Sequence, residues 1–213
     1  MTSIADIRKE YSQHTLNEHE MAPDPIIQFE KWWNDAVNSQ IEEINAMTLA
    51  TADLKGKATA RTVLLKEFDN RGFVFFTNYE SRKSHQLIEN PQASLLFFWK
   101  ELERQIRIEG SAEQISDIES DAYFQSRPLG SKIGAWASPQ SRTISNRSEL
   151  ELEVARLNKM YEGATIPRPA HWGGFRIIPH NIEFWQGRIS RLHDRILYTK
   201  MDTAIWKIER LAP

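Results

Sequence analysis

The spacing of apolar residues changes near residue 46 and divides the chain into two parts. In the first part, apolar positions recur at roughly helical spacing: Ile26, Ile27, Phe29, Trp33 and Val37. Asp24 followed by Pro25 is typical of a helix N-terminus, with aspartate as the capping residue. We therefore predict that residues 1–45 form a helical N-terminal segment.

From Ala46 onwards, short apolar runs are separated by turn residues, as at 54–57 and 69–72. This pattern predicts strands at 46–51, 58–68, 73–78, 93–99, 104–115, 174–185, 191–198 and 204–210, and helices at 82–89, 117–127 and 145–162. Because the strands follow one another without alternating crossover helices, we expect a mainly β, antiparallel barrel with attached helices (α+β). A doubly wound parallel sheet is disfavoured, and neither a Gly-x-Gly-x-x-Gly motif nor a P-loop occurs.

The chain has 213 residues, 40% of them hydrophobic, which suits one domain with a sizeable core. We expect residues 1–45 to pack on a barrel formed by residues 46–213. The absence of cysteine excludes disulfide scaffolds and thiol catalysis, and the histidines lack metal-ligand spacing, so we expect no metal site. With no long apolar run and no evident signal peptide, we expect a cytoplasmic protein that binds no membrane.

The net charge of −2 combines two unlike parts of the chain. Residues 1–45 contain nine acids and three bases and carry −6, so the other 168 residues carry +4. This excess is modest for a nucleic-acid-binding protein, which usually has a strongly basic domain. It suits a protein that holds a few small anions.

Two segments carry basic residues where local rules disfavour them. Arg82 and Lys83 follow the capping residue Ser81 in the first turn of a predicted helix, at the positive end of its dipole. On the predicted strand 191–198, Arg191, His193 and Arg195 project from one face, where like charges repel. Each set is either solvated at the surface or faces a bound anion or another electron-rich ligand.

A third set suggests two distinct anions. Arg61 and Lys66 lie on one apolar strand, where strand parity places them on opposite faces, so they cannot hold a single phosphate without a bulge or twist. On helix 117–127, Tyr123 and Arg127 are four residues apart and therefore neighbours, and Ser131 follows the helix end. These three residues could cradle a phosphate, although each alone is commonplace.

Most of these residues lie in motifs through which the chain, from about residue 20 to its end, resembles the pyridoxamine 5′-phosphate oxidase family. The first motif is Arg-Thr-Val-Leu-Leu-Lys at 61–66, and the others, in order, are at 76–78, 81–83, 103–105, 126–128, 133–136, 140–141, 171–176, 183–187, 191–195 and 209–213. Phe76 departs from the pattern, since tyrosine is common at that position. The role of the first twenty residues stays open.

The resemblance implies an FMN-binding split β-barrel that forms a homodimer, with FMN at the subunit interface. It places the FMN contacts on Arg61, Thr62, Val63, Leu64, Leu65, Lys66, Phe76, Thr77, Arg82, Lys83, Gln105, Gln140, Ser141, Trp185 and Arg195. It places the substrate contacts on Lys66, Tyr123, Arg127, Ser131, Arg191, Leu192 and His193. Of these, Arg191 and His193 are the implied catalytic residues.

The implied reaction oxidises pyridoxamine 5′-phosphate or pyridoxine 5′-phosphate to pyridoxal 5′-phosphate, as in vitamin B6 salvage. A hydride leaves the C4′ carbon for the flavin, and O₂ is reduced to H₂O₂; the flavin carries the redox chemistry and the protein orients it. Three alternatives remain: a carrier of FMN or pyridoxal phosphate without activity, an oligonucleotide-binding barrel, and an FMN oxidoreductase of the same fold with another substrate. The net charge argues against the nucleic-acid binder.

Overall fold

One antiparallel sheet forms the centre of the computed structural model, which describes residues 3–7, 9–202 and 205–213, with Asp202 described by its backbone only. Its strands are β1 (Ala46–Ala52), β2 (Ala58–Leu64), β3 (Glu67–Asp69), β4 (Gly72–Asn78), β5 (Gln92–Trp99), β6 (Arg104–Gln114), β7 (Trp172–Gln186), β8 (Asp194–Asp202) and β9 (Ile205–Leu211). The α-helices are α1 (Pro25–Asn38), α2 (Arg82–Glu89), α3 (Asp117–Ser126), α4 (Leu129–Ala137) and α5 (Arg147–Met160). None of these helices combines the length and the apolar character needed to cross a membrane.

The long strand β7 organises the sheet. One edge of β7 pairs with β6, while the other edge pairs first with β4 and then with β8, so the sheet divides along this edge. The remaining order is β2-β1-β5-β6 on one side, β3 beyond β4, and β9 beyond β8. The β6–β7 register shifts between Glu109 and Gly110, because β7 carries an extra residue, His180, opposite this point; any Cβ at Gly110 would lie 2.1 Å from the carbonyl oxygen of Ile178. The mainly β, antiparallel prediction is confirmed.

Helix α1 packs into the concave side of this sheet. Its first turn begins as predicted, with the Asp24 carboxylate accepting a hydrogen bond from the Ile26 amide at 2.7 Å. The ring of Phe29 is fully buried and lies 4.9 Å from Phe73 and 5.4 Å from Phe97, centroid to centroid. Burial of one such side chain stabilises the fold by roughly 1.5–3 kcal/mol.

A smaller apolar cluster lies under helices α3, α4 and α5. Its buried members are Phe124, Ile133, Ala137, Leu157, Ile166 and Trp172. Helix α3 begins with a reciprocal capping box between Ser116 and Glu119, which fixes where its first turn starts. The cluster therefore holds the C-terminal end of α3 and the start of α4 beside the first residues of β7.

The N-terminal segment is less helical than predicted. Apart from α1, its described residues contain only two single-turn 3₁₀ helices, Ile4–Asp6 and Glu18–Glu20, and the described residues between these two turns have no regular secondary structure. The apolar periodicity that led to the prediction is confined to residues 26–37, so the preceding residues had no helical signal of their own. Met1, Thr2 and Arg8 lie outside the described residues.

Two further predictions were wrong in detail, and one helix was not predicted. The predicted strand 58–68 is broken at Leu65 and Lys66, where the chain leaves β1 and β3 begins to pair with β4. The strand predicted from 191 begins only at Asp194, because residues 189–191 form a 3₁₀ turn. Helix α4 was missed, since Gly130 and Gly134 weaken its helical signal. The final strand is confirmed from Ile205 onwards, and its predicted first residue, Ala204, is outside the described part of the chain.

Candidate active site

A cavity of about 570 Å³ opens between strands β2 and β4 and helices α3 and α4. Its size is within the range usual for small-molecule sites. Eleven predicted site residues line it: Thr62, Val63, Leu64, Lys66, Phe76, Thr77, Lys83, Tyr123, Arg127, Ser131 and Gln140. We call these eleven residues, together with Arg61 and Arg82, the pocket group.

Lys83 enters this cavity surrounded by neutral oxygens. Its ammonium donates to Gln140 Oε1 at 2.7 Å, Thr77 Oγ1 at 3.0 Å and Ser81 Oγ at 3.2 Å, and no described carboxylate pairs with it. Burial and, to a lesser extent, the positive charge of Arg61 together lower the pKa of Lys83 to about 8. Contrary to prediction, the Ser81 hydroxyl caps no backbone amide and lies 3.0 Å from Ser84 Oγ instead.

Arg61 lies behind the cavity wall and is also surrounded by neutral groups. Its guanidinium donates to the carbonyl of Leu49 at 3.1 Å, to Thr51 Oγ1 at 2.7 Å and to Thr59 Oγ1. The two threonine hydroxyls donate in turn to Gln86 Oε1 at 2.6 and 2.7 Å. Sequence reasoning missed Gln86, because nothing in a lone glutamine on a helix signals that it orients an arginine.

Arg61, Arg82 and Lys83 form a cluster of positive charge. Burial lowers the pKa of Arg61, and the charge of Arg82 lowers it further. Within the described residues, none of the three side chains has a carboxylate partner within salt-bridge distance. A bound anion would offset the repulsion among these cations and compensate for the partial burial of Arg61 and Lys83.

A second cationic position lies across the cavity, at the end of α3. The Arg127 guanidinium stacks over the ring of Trp172 at 4.5 Å, and its buried Nη1 atom has no hydrogen-bond partner in the described residues. Burial lowers the pKa of this guanidinium. Leaving such a donor unsatisfied costs roughly 1–3 kcal/mol, which an anionic ligand would recover.

Aromatic rings form the floor between the two positions. Tyr123 stacks on Phe76 with ring centroids 4.0 Å apart, and Phe76 stacks on Trp172 at 5.4 Å. Phe76 thus contributes a ring face, a contact that does not require the hydroxyl of tyrosine. Trp172 is a site residue that we did not predict, although it belongs to the motif at 171–176 and precedes a predicted strand.

Other predicted cofactor residues lie outside the cavity. Arg82 and Ser141 border a separate depression of about 340 Å³ on the other side of α2. Leu65 is buried in the main core. Lys66, by contrast, lines the cavity from beyond the end of β2, so it and Arg61 occupy different environments, consistent with two distinct anions.

Six predicted residues gather at a second location, around the connection between β7 and β8. We call them the corner group: Gln105, Trp185, Arg191, Leu192, His193 and Arg195. The structure places none of them on the cavity lining of the same chain. Gln105, Trp185 and Arg195 are cross-strand neighbours on β6, β7 and β8 and form one row on a sheet face.

The predicted common face of Arg191, His193 and Arg195 is wrong, because the chain turns before β8 begins. Ser190 and Arg191 have positive φ angles of 56° and 61°, which end strand geometry there. Arg191 and Leu192 are exposed, and the Arg191 side chain has no hydrogen bond or ion pair with any described residue. Arg195 instead pairs with buried Glu183 at 2.8 Å.

His193 is held in one orientation by its neighbours. Its Nδ1 accepts a hydrogen bond from the Arg188 amide at 3.1 Å, and its ring lies 4.6 Å from Trp185. Burial lowers the pKa of His193, and the charge of Arg191 lowers it further. Because Nδ1 accepts this hydrogen bond, the neutral imidazole holds its proton on Nε2, where it can donate to a ligand.

Two protein-family models together match most of the chain. The one described as pyridoxamine 5′-phosphate oxidase matches residues 33–161. The one described as pyridoxine 5′-phosphate oxidase C-terminal dimerisation region matches residues 172–213, which include most of the corner group.

Similar proteins agree over the whole length. Proteins named pyridoxine/pyridoxamine 5′-phosphate oxidase from a Nostoc species and from Paraburkholderia phymatum are each 56% identical, covering 99% and 100% of both chains, respectively. PhzG from Burkholderia lata, solved with tetrahydrophenazine-1-carboxylic acid, is 32% identical, with a TM-score of 0.88 over 95% of this chain and all of that one.

A more distant structure shows the fold alone. It is a pyridoxamine 5′-phosphate oxidase-related, FMN-binding protein from Nostoc punctiforme, 18% identical, with a TM-score of 0.70 over 91% of this chain and all of that one. The predicted split-barrel fold is thereby confirmed. Family matches, full-length relatives and fold agree: this chain belongs to the pyridoxamine 5′-phosphate oxidase family.

Proposed function

We propose that this protein uses FMN to oxidise pyridoxamine 5′-phosphate and pyridoxine 5′-phosphate to pyridoxal 5′-phosphate, with O₂ reduced to H₂O₂. One observation carries the proposal: the pocket group holds two separate cationic positions, neither of them neutralised by a described carboxylate. A phosphorylated flavin together with a phosphorylated substrate would supply one anion for each. The names of the full-length relatives support the same substrates.

The residues around Lys83 fit the phosphate of FMN. Arg61, Arg82 and Lys83 concentrate positive charge, and a phosphate monoester carries about −1.5 to −2 at neutral pH. Residues 62–64 line the adjoining wall and would contact the rest of the cofactor. When bound, FMN supplies an acceptor for two electrons, which O₂ then removes.

The Arg127 end of the cavity would hold the substrate phosphate. Its unsatisfied Nη1 supplies a buried donor, and the hydroxyls of Tyr123 and Ser131 line the same cavity. Lys66 adds a flexible positive charge from the opposite wall. With its phosphate fixed here, the substrate's ring would lie towards the FMN side of the cavity, which lowers the entropic barrier to reaction.

A second copy of the chain would complete the site. The row Gln105–Trp185–Arg195 lies on a sheet face, next to Phe98, which is 52% exposed. Residues 172–213 also match a family region described by dimerisation. We propose a homodimer in which the corner group of one protomer covers the cavity of its partner.

In that assembly the corner group would orient the substrate ring. Arg191, which has no counterion among the described residues, would lie over the pyridine ring, and His193 Nε2 would donate to a ring substituent. Gln105 and Arg195 would face the isoalloxazine. Because Arg195 is held by Glu183, a carboxylate that also pairs with Arg107, we expect Arg195 to act as a fixed hydrogen-bond donor more than as a free charge.

Oxygen consumption tests the proposal. The FMN-loaded protein should consume O₂ and form equimolar H₂O₂ and pyridoxal 5′-phosphate with either substrate. A carrier would bind pyridoxine 5′-phosphate without consuming O₂, and that result would refute the proposal. Anaerobic addition of substrate should bleach the yellow flavin in the same preparation.

A second candidate follows from the structural similarity to PhzG, whose solved ligand is a reduced tricyclic carboxylic acid without a phosphate. Such a ligand could stack on the aromatic floor but would leave one of the two cationic positions unused. Rates with tetrahydrophenazine-1-carboxylic acid and with pyridoxine 5′-phosphate separate the candidates. We expect the phosphorylated substrate to be strongly preferred.

A further inference from the structure

Glu103 is a buried carboxylate in an unusual backbone conformation. It ends the turn between β5 and β6 with a φ of 55°, a conformation that glycine adopts most readily. The residue is only 2% exposed. A charged side chain is disfavoured at such a position both by its backbone and by its burial, so its contacts must compensate.

Those contacts reach a distant part of the chain. The Glu103 Oε2 atom accepts hydrogen bonds from the backbone amides of Ser12 at 2.8 Å and Gln13 at 3.2 Å. Its Oε1 atom lies 3.4 Å from the ammonium of Lys9. One carboxylate thus anchors residues 9–13, a segment that has no regular secondary structure of its own.

The backbone of Glu103 holds the corner group as well. Its carbonyl accepts hydrogen bonds from the Gly187 amide at 2.7 Å and from Gln186 Nε2 at 3.2 Å. These residues end β7 and lead into the turn that carries Arg191 and His193. Side chain and main chain of one residue therefore join the N-terminal segment to the corner group.

Tyr11 occupies the junction that results. Its ring lies 5.9 Å from Trp185 and 6.1 Å from His193, centroid to centroid. It packs so closely on Gly187 that a Cβ there would lie 2.7 Å from Tyr11. Tyr11 precedes the two amides that Glu103 binds, so its position depends directly on that carboxylate.

We propose that Glu103 is a positioning residue, which anchors residues 9–13 so that Tyr11 packs against His193 and Trp185 and fixes the imidazole for the substrate. The proposal rests on the proposed function for the role of His193, but the anchor itself does not. It gives the N-terminal segment a part in the site, through a residue that touches neither substrate nor cofactor.

Hydrogen exchange of the FMN-loaded protein tests the anchor independently of activity. Glu103→Gly removes the carboxylate and suits the backbone conformation, while Glu103→Gln retains an acceptor oxygen without charge. The exposed Glu101, two residues away, provides the matched control Glu101→Gln. We expect the amides of Ser12 and Gln13 to exchange at least about tenfold faster in Glu103→Gly, less so in Glu103→Gln, and unchanged in the control. Unchanged exchange in Glu103→Gly would overturn the anchor.

A double-mutant cycle tests the route to the site. Glu103→Gly and Tyr11→Ala should each lower kcat/KM for pyridoxine 5′-phosphate about tenfold, mainly through KM, with FMN affinity changed less than about twofold. The double variant should be no worse than Tyr11→Ala. If the loss of kcat/KM in the double variant instead equals the product of the two single losses, the two residues act independently and the proposal is overturned. Should the wild-type protein not oxidise pyridoxine 5′-phosphate, the proposed function fails, while the exchange experiment still decides whether the anchor exists.

Discussion

The two halves of the candidate site, the pocket group and the region of the corner group, differ in whether their cationic side chains have carboxylate partners. In the pocket group, Lys83 and Arg127 are partly buried beside neutral groups and have no carboxylate partner among the described residues. In the corner, Arg195 pairs with Glu183 at 2.8 Å, and Arg188 with Asp194 at 2.6 Å. Because unpaired buried charge is unfavourable, an anionic ligand would stabilise the pocket, whereas these two arginines of the corner already have carboxylate partners.

Arg191 is the exception that links the two halves. Although it lies in the corner, its side chain is exposed and makes no ion pair with a described residue. Its backbone is held at a positive φ of 61° by the 3₁₀ turn, so the side chain is presented outwards. An electron-rich ligand held in the pocket of a second copy would give this arginine the partner that the described residues of its own chain do not supply.

The largest effect is expected from removing this arginine. Arg191→Met should lower kcat/KM for pyridoxine 5′-phosphate by roughly 10³-fold, because positioning of reactants supplies several kcal/mol of a reaction barrier. FMN should stay bound, as measured by flavin fluorescence after dialysis. The exposed Arg147 on α5 serves as the matched control, Arg147→Met. Near-normal turnover of Arg191→Met would exclude the proposed role.

A smaller loss is expected at the substrate phosphate. Arg127→Ala should lower kcat/KM for pyridoxine 5′-phosphate by roughly 100-fold, since hydrogen bonds between charged groups contribute roughly 1.5–3 kcal/mol each. Steady-state rates with unphosphorylated pyridoxine provide the comparison. The variant should resemble the wild type with that substrate. An equal loss with both substrates would mean that Arg127 supports the fold and not the phosphate.

The smallest effect is a pH dependence of FMN binding. Lys83 has a pKa of about 8 in the free protein, so it loses its charge progressively above that pH. The FMN phosphate, with a second pKa of about 6, is already fully ionised there, so binding requires Lys83 to regain a proton. The dissociation constant should therefore rise by up to about tenfold between pH 8 and 9.

Fluorescence titrations at several pH values measure this dependence. In Lys83→Met, FMN should bind more weakly at pH 7, and the rise above pH 8 should disappear. A dissociation constant that is independent of pH in the wild type would contradict the assignment of Lys83 to the FMN phosphate.

The sequence predicted best those features that local chemistry determines. Helix α2 has the predicted limits, Arg82–Glu89, and α1 is capped by Asp24 as its sequence indicates. The resemblance supplied the residues of the pocket group, eleven of which line one cavity. That they bind FMN and substrate remains a prediction.

Contacts between distant residues account for what sequence reasoning missed. The path of residues 9–16, which have no regular secondary structure, depends on Glu103 and Asp194. These carboxylates accept hydrogen bonds from backbone amides that lie 91 and 178 positions away in the sequence. The prediction that Arg191 shares a strand face with His193 and Arg195 was wrong, because a pattern of charges does not reveal two successive positive φ angles. The orphaned donor of Arg127 and its stacking on Trp172 likewise emerge only when α3 meets β7.

The central claim is that each site combines the pocket of one protomer with the corner of its partner. Heterodimers of Arg127→Ala and Arg191→Met chains, isolated with two different affinity tags, test it directly. In a symmetric dimer with shared sites, one site would carry both substitutions and the other neither, so about half of the wild-type activity should return. If the heterodimer is as inactive as its two parents, each site is built within one chain, and the account is wrong.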